Sequence, residues 1–293
     1  MATTPLVKVQ QKSGAAVDWL SIGWFGLLLI GCYAPILYRM ANQWANDENM
    51  GHGFFVPLVS GYIAWERRKV LAETPIRTNW WGLVIVVFGG LLSVVATLGV
   101  ELFTARLSFV IALVGTVLFL CGTKWVKVLS FPLLLLLFMI PIPAIIYSAL
   151  TLRLQMMASA RGEVMISAMG IPVLREGNTL RLPSQTLDIV DACSGIRSLL
   201  SLLFLSLVYT YFTDKKIWMR WALLAATIPI AIGANGIRVA VTGLLSEIDT
   251  KLASGGYHEA EGYIVFVVAL FALIATHRLL NLLWKKFGRT AAS

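Results

Sequence analysis

Apolar runs long enough to cross a bilayer recur along this chain and leave few folds open to it. Residues 19–38, 81–100, 107–122, 193–212, 221–241 and 262–283 are each dominated by aliphatic, aromatic and small residues. Roughly 20 such residues cross the hydrocarbon core as a helix. Lipid offers no partner to a free peptide group, so the runs are read as helices. Two weaker runs, 54–65 and 126–140, bring the count to eight. With 58% hydrophobic and 13% charged residues and a mean hydropathy of +0.79, a soluble domain is excluded. The expected fold is an all-α polytopic membrane protein of about eight transmembrane helices, a single integral domain over residues 1–293. The run at 19–38 is too long for a typical signal-peptide core and has no clear small-residue cleavage site, so it is expected to stay as the first helix.

The net charge of +9 is spread over short loops, which fits an orientation signal better than a nucleic-acid surface. No nucleic-acid partner is expected; membrane lipids are. Glu66-Arg67-Arg68-Lys69 ends the second run, Lys215, Lys216 and Arg220 follow the sixth, and Lys285, Lys286 and Arg289 close the last. On the eight-span model, one side of the membrane carries about 15 of the 24 Lys and Arg and 4 of the 15 Asp and Glu. That asymmetry places both termini, 1–16 and 284–293, in the cytoplasm.

Between Pro141 and residue 192 the pattern changes. Pro141 and Pro143 break the apolar run. Residues 144–169 carry Arg153, Arg161 and Glu163 and suggest an amphipathic helix at the interface or against the bundle. Residues 171–182, I-P-V-L-R-E-G-N-T-L-R-L, have strand-like alternation around Glu-Gly-Asn, a turn composition. A short extracytoplasmic hairpin is expected before the sixth helix, within an extracytoplasmic or interfacial segment at 142–192.

The chemistry-bearing residues gather on that same side. Of three cysteines, Cys32 and Cys121 lie inside apolar runs, where a thiol behaves as a small hydrophobe. Cys193 sits at a boundary, in D-I-V-D-A-C-S-G-I-R-S-L-L (188–200). A cysteine just inside a helix start has its thiolate favoured by unpaired N–H groups and the positive dipole end. Gly195 leaves room beside the sulfur, and Arg197 lies one helical turn on. Arg238 is 17 residues past Trp221, roughly 25 Å along a helix and so near the outer end of the seventh span. His258 precedes the eighth span on the same side, behind Ser254-Gly255-Gly256.

These types together suit acyl transfer. A thiolate attacks an amide carbonyl; His258 could take the thiol proton and return it to the leaving amine; Arg238 could stabilise the thiolate or a tetrahedral oxyanion. Asn235, three residues before Arg238 on the same helix face, could orient either partner. Blander readings stand beside these. Arg238 could snorkel or pair with Glu247 or Asp249, Arg197 could pair with Asp191 or contact substrate, and His258 could be a polar loop residue. His52, in G-H-G on the outer face, is read first as structural and second as a supporting residue. Glu259 and Glu261 are expected in a solvated loop. No H-E-x-x-H, G-x-S-x-G, Walker loop or dinucleotide fingerprint occurs, so metalloprotease, serine hydrolase and NTPase readings lack support. Neither metal nor cofactor is expected.

A-C-S-G-I-R-S-L-L at 192–200, A-N-G-I-R-V at 234–239 and Y-H-E at 257–259 resemble the exosortase/archaeosortase family of membrane cysteine transpeptidases. G-H-G-F-F-V-P-L at 51–58 and I-P-V-L-R-E-G-N at 171–178 extend the resemblance over most of the chain. It implies that Cys193 matches the family's proposed nucleophile, Arg238 its arginine and His258 its histidine. It further implies a bacterial inner-membrane enzyme with its site on the extracytoplasmic face, often linked to exopolysaccharide production. Its partners would be exported proteins ending in a sorting tail, made of a Pro-Glu-Pro-like motif, a membrane helix and a basic cluster, together with an unknown acceptor.

Three other readings make different demands. A transporter or flippase for lipid-linked glycans would bind phosphate with Arg197 and Arg238 and tolerate loss of Cys193. A membrane acyltransferase using His258 and Asn235 would tolerate Cys193→Ser. A non-catalytic assembly component would tolerate every substitution at Cys193, Arg238 and His258.

Overall fold

The computed structural model describes residues 19–189, 195–253 and 255–287, with His258 and Glu259 described by their backbone alone. Cys193, with the rest of 190–194, lies outside the described residues. The chain divides into two units, residues 1–141 and 142–293. Six described helices are long and apolar enough to cross a membrane, or seven if Ser130–Met139 and Ala144–Ala168 count as one broken span. The protein is therefore a polytopic α-helical membrane protein. Large apolar side chains such as Leu98 (80% exposed) and Ile145 (86% exposed) face outward, as they do where lipid rather than water surrounds the helices.

In the first unit, α1 (Trp19–Asn46) leads through a 3₁₀ turn (Glu48–Phe54) into α2 (Phe55–Glu66) and α3 (Arg68–Glu73). At 12 residues, α2 is too short by itself for the span expected at 54–65. Then α4 (Trp81–Leu98) and α5 (Leu102–Cys121) follow. They approach closely because Gly82, Gly89 and Gly115 present no side chain at their contact: a Cβ on Gly115 would stand 2.8 Å from the Val86 nitrogen. The run expected as one helix at 126–140 is broken into α6 (Thr123–Val128), α7 (Ser130–Leu135) and a 3₁₀ turn (Leu136–Met139).

The second unit begins with α8 (Ala144–Ala168), followed by β1 (Leu174–Glu176), β2 (Thr179–Arg181) and β3 (Thr186–Asp188) in one antiparallel sheet of order β1-β2-β3. Gly177, at φ +66°, turns β1 into β2. Three strands thus stand where two were expected. Of the two places expected for this amphipathic helix, the structure has the second: α8 packs against α10. Its buried stripe is polar and small (Thr151, Gln155, Ser159, Gly162), while Ile145, Leu152 and Val164 face out. Of the three charges expected on it, Arg153 and Arg161 are exposed. Glu163 pairs with Arg175 of β1 at 2.9 Å, and Ser159 donates to the Gly177 carbonyl at 2.9 Å.

Three helices complete the unit: α9 (Ile196–Thr213), α10 (Ile217–Ile248) and α11 (Gly255–Phe287). Pro229 and Gly233-Ala234-Asn235-Gly236 fall within the seventh span. Even so, α10 runs unbroken for 32 residues, since a proline in a packed membrane helix removes one backbone bond without ending it. Two cores hold the unit. Ala158 and Ile166 of α8, Leu180 and Leu182 from the sheet, and Val239 and Ala240 of α10 form one. Leu202, Met219, Leu223, Ala269 and Leu273 join α9, α10 and α11 in the other. Glycines again allow close approach of α8 and α10: Gly162 meets Val239, Gly236 meets the stem of Arg161, and Gly243 meets Ile166.

Candidate active site

One face of α10 carries two of the candidate residues, Asn235 and Arg238. Asn235 is 6% exposed, and its amide group packs against Gly195, where a Cβ would come within 2.6 Å of Asn235 Cγ. Gly195 caps the start of α9 in the left-handed region, at φ +74°. An L side chain there is disfavoured by conformation and by space together. α9 starts at Ile196; the expected helix start at Cys193 lies outside the described residues. Arg197 is the second residue of α9 and is half-buried.

Arg238 lies one turn beyond Asn235 on α10. It stands 21 residues from the start of the helix and 10 from its end, so about 15 Å short of the C-terminal end rather than close to it. Its guanidinium rests on α11: a Cβ built at Gly262 would lie 3.0 Å from Nη2 and 3.1 Å from Cζ. One turn further along α10, the Thr242 hydroxyl lies 3.0 and 2.8 Å from the two carboxylate oxygens of Glu261. The same hydroxyl is 3.0 Å from the Arg238 carbonyl oxygen. A ladder of contacts thus joins α10 to the N-cap of α9 at residue 235, and to the first turns of α11 at 238 and 242.

His258 is the fourth residue of α11, because that helix begins at Gly255 and not at the expected 262. It precedes Gly262 by one turn, on the face of α11 that meets Arg238 and Thr242. The loop expected around Glu261 is likewise helix, and Glu261 is 8% exposed. Sequence reading passed over Glu261, Gly262 and Thr242. The available signal was helical register: extending the last span back to 255 places 258, 261 and 262 on one side. Pairing of Arg238 with Glu247 is excluded by distance, as nine residues separate them along one helix, about 13 Å. Glu247 instead accepts from Ser184, at 3.1 Å from the backbone N–H and 2.6 Å from the hydroxyl.

Beside this ladder runs an apolar groove of about 690 Å³ between α10 and α11, lined by Gly233, Ile237, Val241, Tyr257, Ala260 and Glu261 among others. His52 belongs to the first unit, between α1 and α2. Burial pushes its imidazole below the usual histidine range, partly offset by the Phe138 and Asn49 carbonyls. Next to it, Gly53 lies against the Trp44 indole, whose Nε1 donates to the Met139 carbonyl at 2.9 Å. These contacts give His52 a place in the packing of its own unit. Among the described residues, no group of three His, Cys, Asp or Glu could hold a metal ion.

A family model described as transmembrane exosortase matches residues 44–275, most of the chain. No curated protein matches it, and no solved structure does. The matched stretch contains His52, Cys193, Arg197, Asn235, Arg238 and His258.

Proposed function

Because the chain belongs to the transmembrane exosortase family, we propose that it cleaves C-terminal sorting tails of exported proteins at the outer face of the bacterial inner membrane, through a thioacyl intermediate on Cys193. Membership of this family supports membrane-embedded processing of sorting signals in general. Three elements are added here: the Pro-Glu-Pro-like tail with its membrane helix and basic cluster, the cysteine mechanism, and service to exopolysaccharide or surface-protein export.

The observation that carries the reading is the 235–238 face of α10. Asn235 packs against Gly195, two residues after Cys193, and Arg238 packs against Gly262, one turn after His258. In the proposed reaction the Cys193 thiol gives its proton to His258, and its sulfur attacks the scissile carbonyl carbon. Arg238 stabilises the oxyanion that forms. Collapse breaks the C–N bond, and the proton on His258 passes to the departing amine. A second nucleophile, water or an amine or hydroxyl acceptor, then gives its proton to His258 and attacks the thioester, releasing the thiol. The substrate, tethered by its own helix, would approach laterally, and the apolar groove between α10 and α11 supports that route. Both termini would lie in the cytoplasm, as the charge asymmetry favours.

The test is an immunoblot of a co-expressed reporter ending in such a tail, with wild-type enzyme and with Cys193→Ala. A size shift confined to the wild type is expected. Equal processing by Cys193→Ala, or none by either over several tails from the same genome, would favour a transporter or assembly role.

A further inference from the structure

Arg153 and Arg161 stand on α8, and Arg175 and Arg181 on the sheet that follows it. The two on the sheet have acidic partners: Arg175 pairs with Glu163 at 2.9 Å and Arg181 with Glu176 at 2.8 Å. Arg161 has no acidic partner among the described residues. Its Nη1 donates to the Met157 carbonyl at 3.1 Å, which leaves most of its five N–H donors for a ligand. The side chain is exposed, and its Cα lies seven residues, about 10 Å, short of the α8 end at Ala168. An arginine at that depth in a membrane bundle calls for an anionic partner or an aqueous cavity.

Its place relative to the site is fixed by α10. The two helices climb side by side: Arg161 meets Gly236, Gly162 meets Val239 and Ile166 meets Gly243. A Cβ on Gly236 would stand 2.9 Å from Arg161 Cβ and 3.0 Å from its Cδ, so the arginine stem lies on the bare glycine. Gly236 separates Asn235, which packs on Gly195, from Ile237, which lines the groove between α10 and α11. Away from α10, Arg161 borders an open hollow of about 710 Å³ with Met156, Met157, Val164, Met165 and Arg175. Unbranched thioether side chains make such a wall adaptable to varied partners.

We propose that Arg161 binds a carboxylate of the sorting tail, the acid of its Pro-Glu-Pro-like motif, and so selects the substrate. The inference rests on the tail processing proposed above. Charge decides the occupant: a planar guanidinium takes a carboxylate through two parallel N–H···O bonds, and no acid of the described residues competes for it. Level favours a peptide over a lipid headgroup. Arg161 stands beside Gly236, between the levels of Asn235 and Arg238 and about 10 Å inward from the end of α8. A tail whose helix lies in the groove between α10 and α11 brings the motif preceding that helix to this level.

The experiment measures binding of two fluorescent synthetic tails, one with Glu in the motif and one with Gln, to full-length Cys193→Ala protein in detergent. Arg161 is either intact or replaced by Gln. With Arg161 the Glu tail should bind about tenfold tighter than the Gln tail or better, the size of one charge-assisted hydrogen bond. With Arg161→Gln the two tails should bind alike, and Arg161→Lys should recover only part of the preference. The preference is a ratio within each protein, so a smaller folded fraction leaves it unchanged. No binding of either tail, no preference with Arg161 intact, or an undiminished preference in Arg161→Gln overturns the proposal. Affinity lost equally for both tails assigns Arg161 to lipid headgroups and overturns it as well. In membranes, Arg161→Gln should raise KM for the Glu reporter about tenfold with kcat within about twofold; a fall in kcat at unchanged KM would contradict a binding role. Reporter cleavage by Cys193→Ala would overturn the nucleophile and leave the tail preference standing.

Discussion

The guanidinium of Arg238 lies on the bare Cα of Gly262, with 3.0 Å between Nη2 and the place a Cβ would occupy. Two helices that are neighbours in sequence are thereby brought to one level by a charged group and the absence of a side chain. His258 is one turn from that contact along α11. Asn235, one turn from it along α10, reaches Gly195 beside the cysteine segment.

Gly262→Ala tests whether that contact serves reaction or packing. A methyl group there meets only the far end of a flexible side chain, so the guanidinium is displaced by a few tenths of an ångström while the helices stay in place. Alanine also favours helix over glycine by about 1 kcal/mol. The expected outcome is a protein at least as stable as wild type in a melting assay, with reporter processing reduced severalfold or more.

Gly195→Ala should behave differently. The left-handed conformation costs an L residue about 1–2 kcal/mol, and the new Cβ would stand 2.6 Å from Asn235 Cγ. Loss of processing together with a lower melting temperature is expected. Adding Asn235→Ala should restore part of the melting temperature by removing the overlap, but not the backbone strain.

At the other end of the second unit, α9, α10 and α11 are joined by a polar cluster. His277 Nδ1 lies 2.7 Å from the Tyr209 hydroxyl, and its Nε2 lies 3.3 Å from Asp214 Oδ2 and 2.7 Å from Asn281 Nδ2. Burial opposes the charge on Asp214. The Lys216 N–H, the hydrogen bonds of His277 and Asn281, and the Lys216 charge outweigh burial and hold the carboxyl below its usual range. A depressed carboxyl stabilises the fold fully above its unfolded value, about 3.9. That contribution is lost as pH falls through the lower folded value. Acidification through this window should therefore lower the melting temperature of wild type more than that of Asp214→Asn. Equal slopes would remove the Asp214 carboxylate from the stabilising contacts of this cluster.

Much of the fold was legible because lipid forces helices on long apolar runs, and six such helices are present among the described residues. Cys193, Arg238 and His258 were singled out as residue types, Cys193 at the boundary of an apolar run; Cys193 lies outside the described residues. Their surroundings were less legible. The start of α11 at Gly255 was hidden because polar residues Tyr257-His258-Glu259 read as loop, although in the helix they form its first turns. Glu261 was read as solvated because a lone acid near a span end usually is. Only the facing Thr242 reveals it as buried, and that is a contact between residues 19 positions apart. α8 packs its small and polar stripe on the hairpin and α10, leaving apolar side chains such as Ile145 and Val164 exposed.

The central claim is covalent catalysis by Cys193, and trapping the intermediate tests it most directly. Membranes holding the enzyme and a tail reporter would be treated with hydroxylamine, and the new C-terminus of the reporter read by mass spectrometry. A C-terminal hydroxamate formed with wild-type enzyme and absent with Cys193→Ala is the expected result, since hydroxylamine intercepts a thioester. Cleavage of the reporter at the same position by Cys193→Ala would contradict the account.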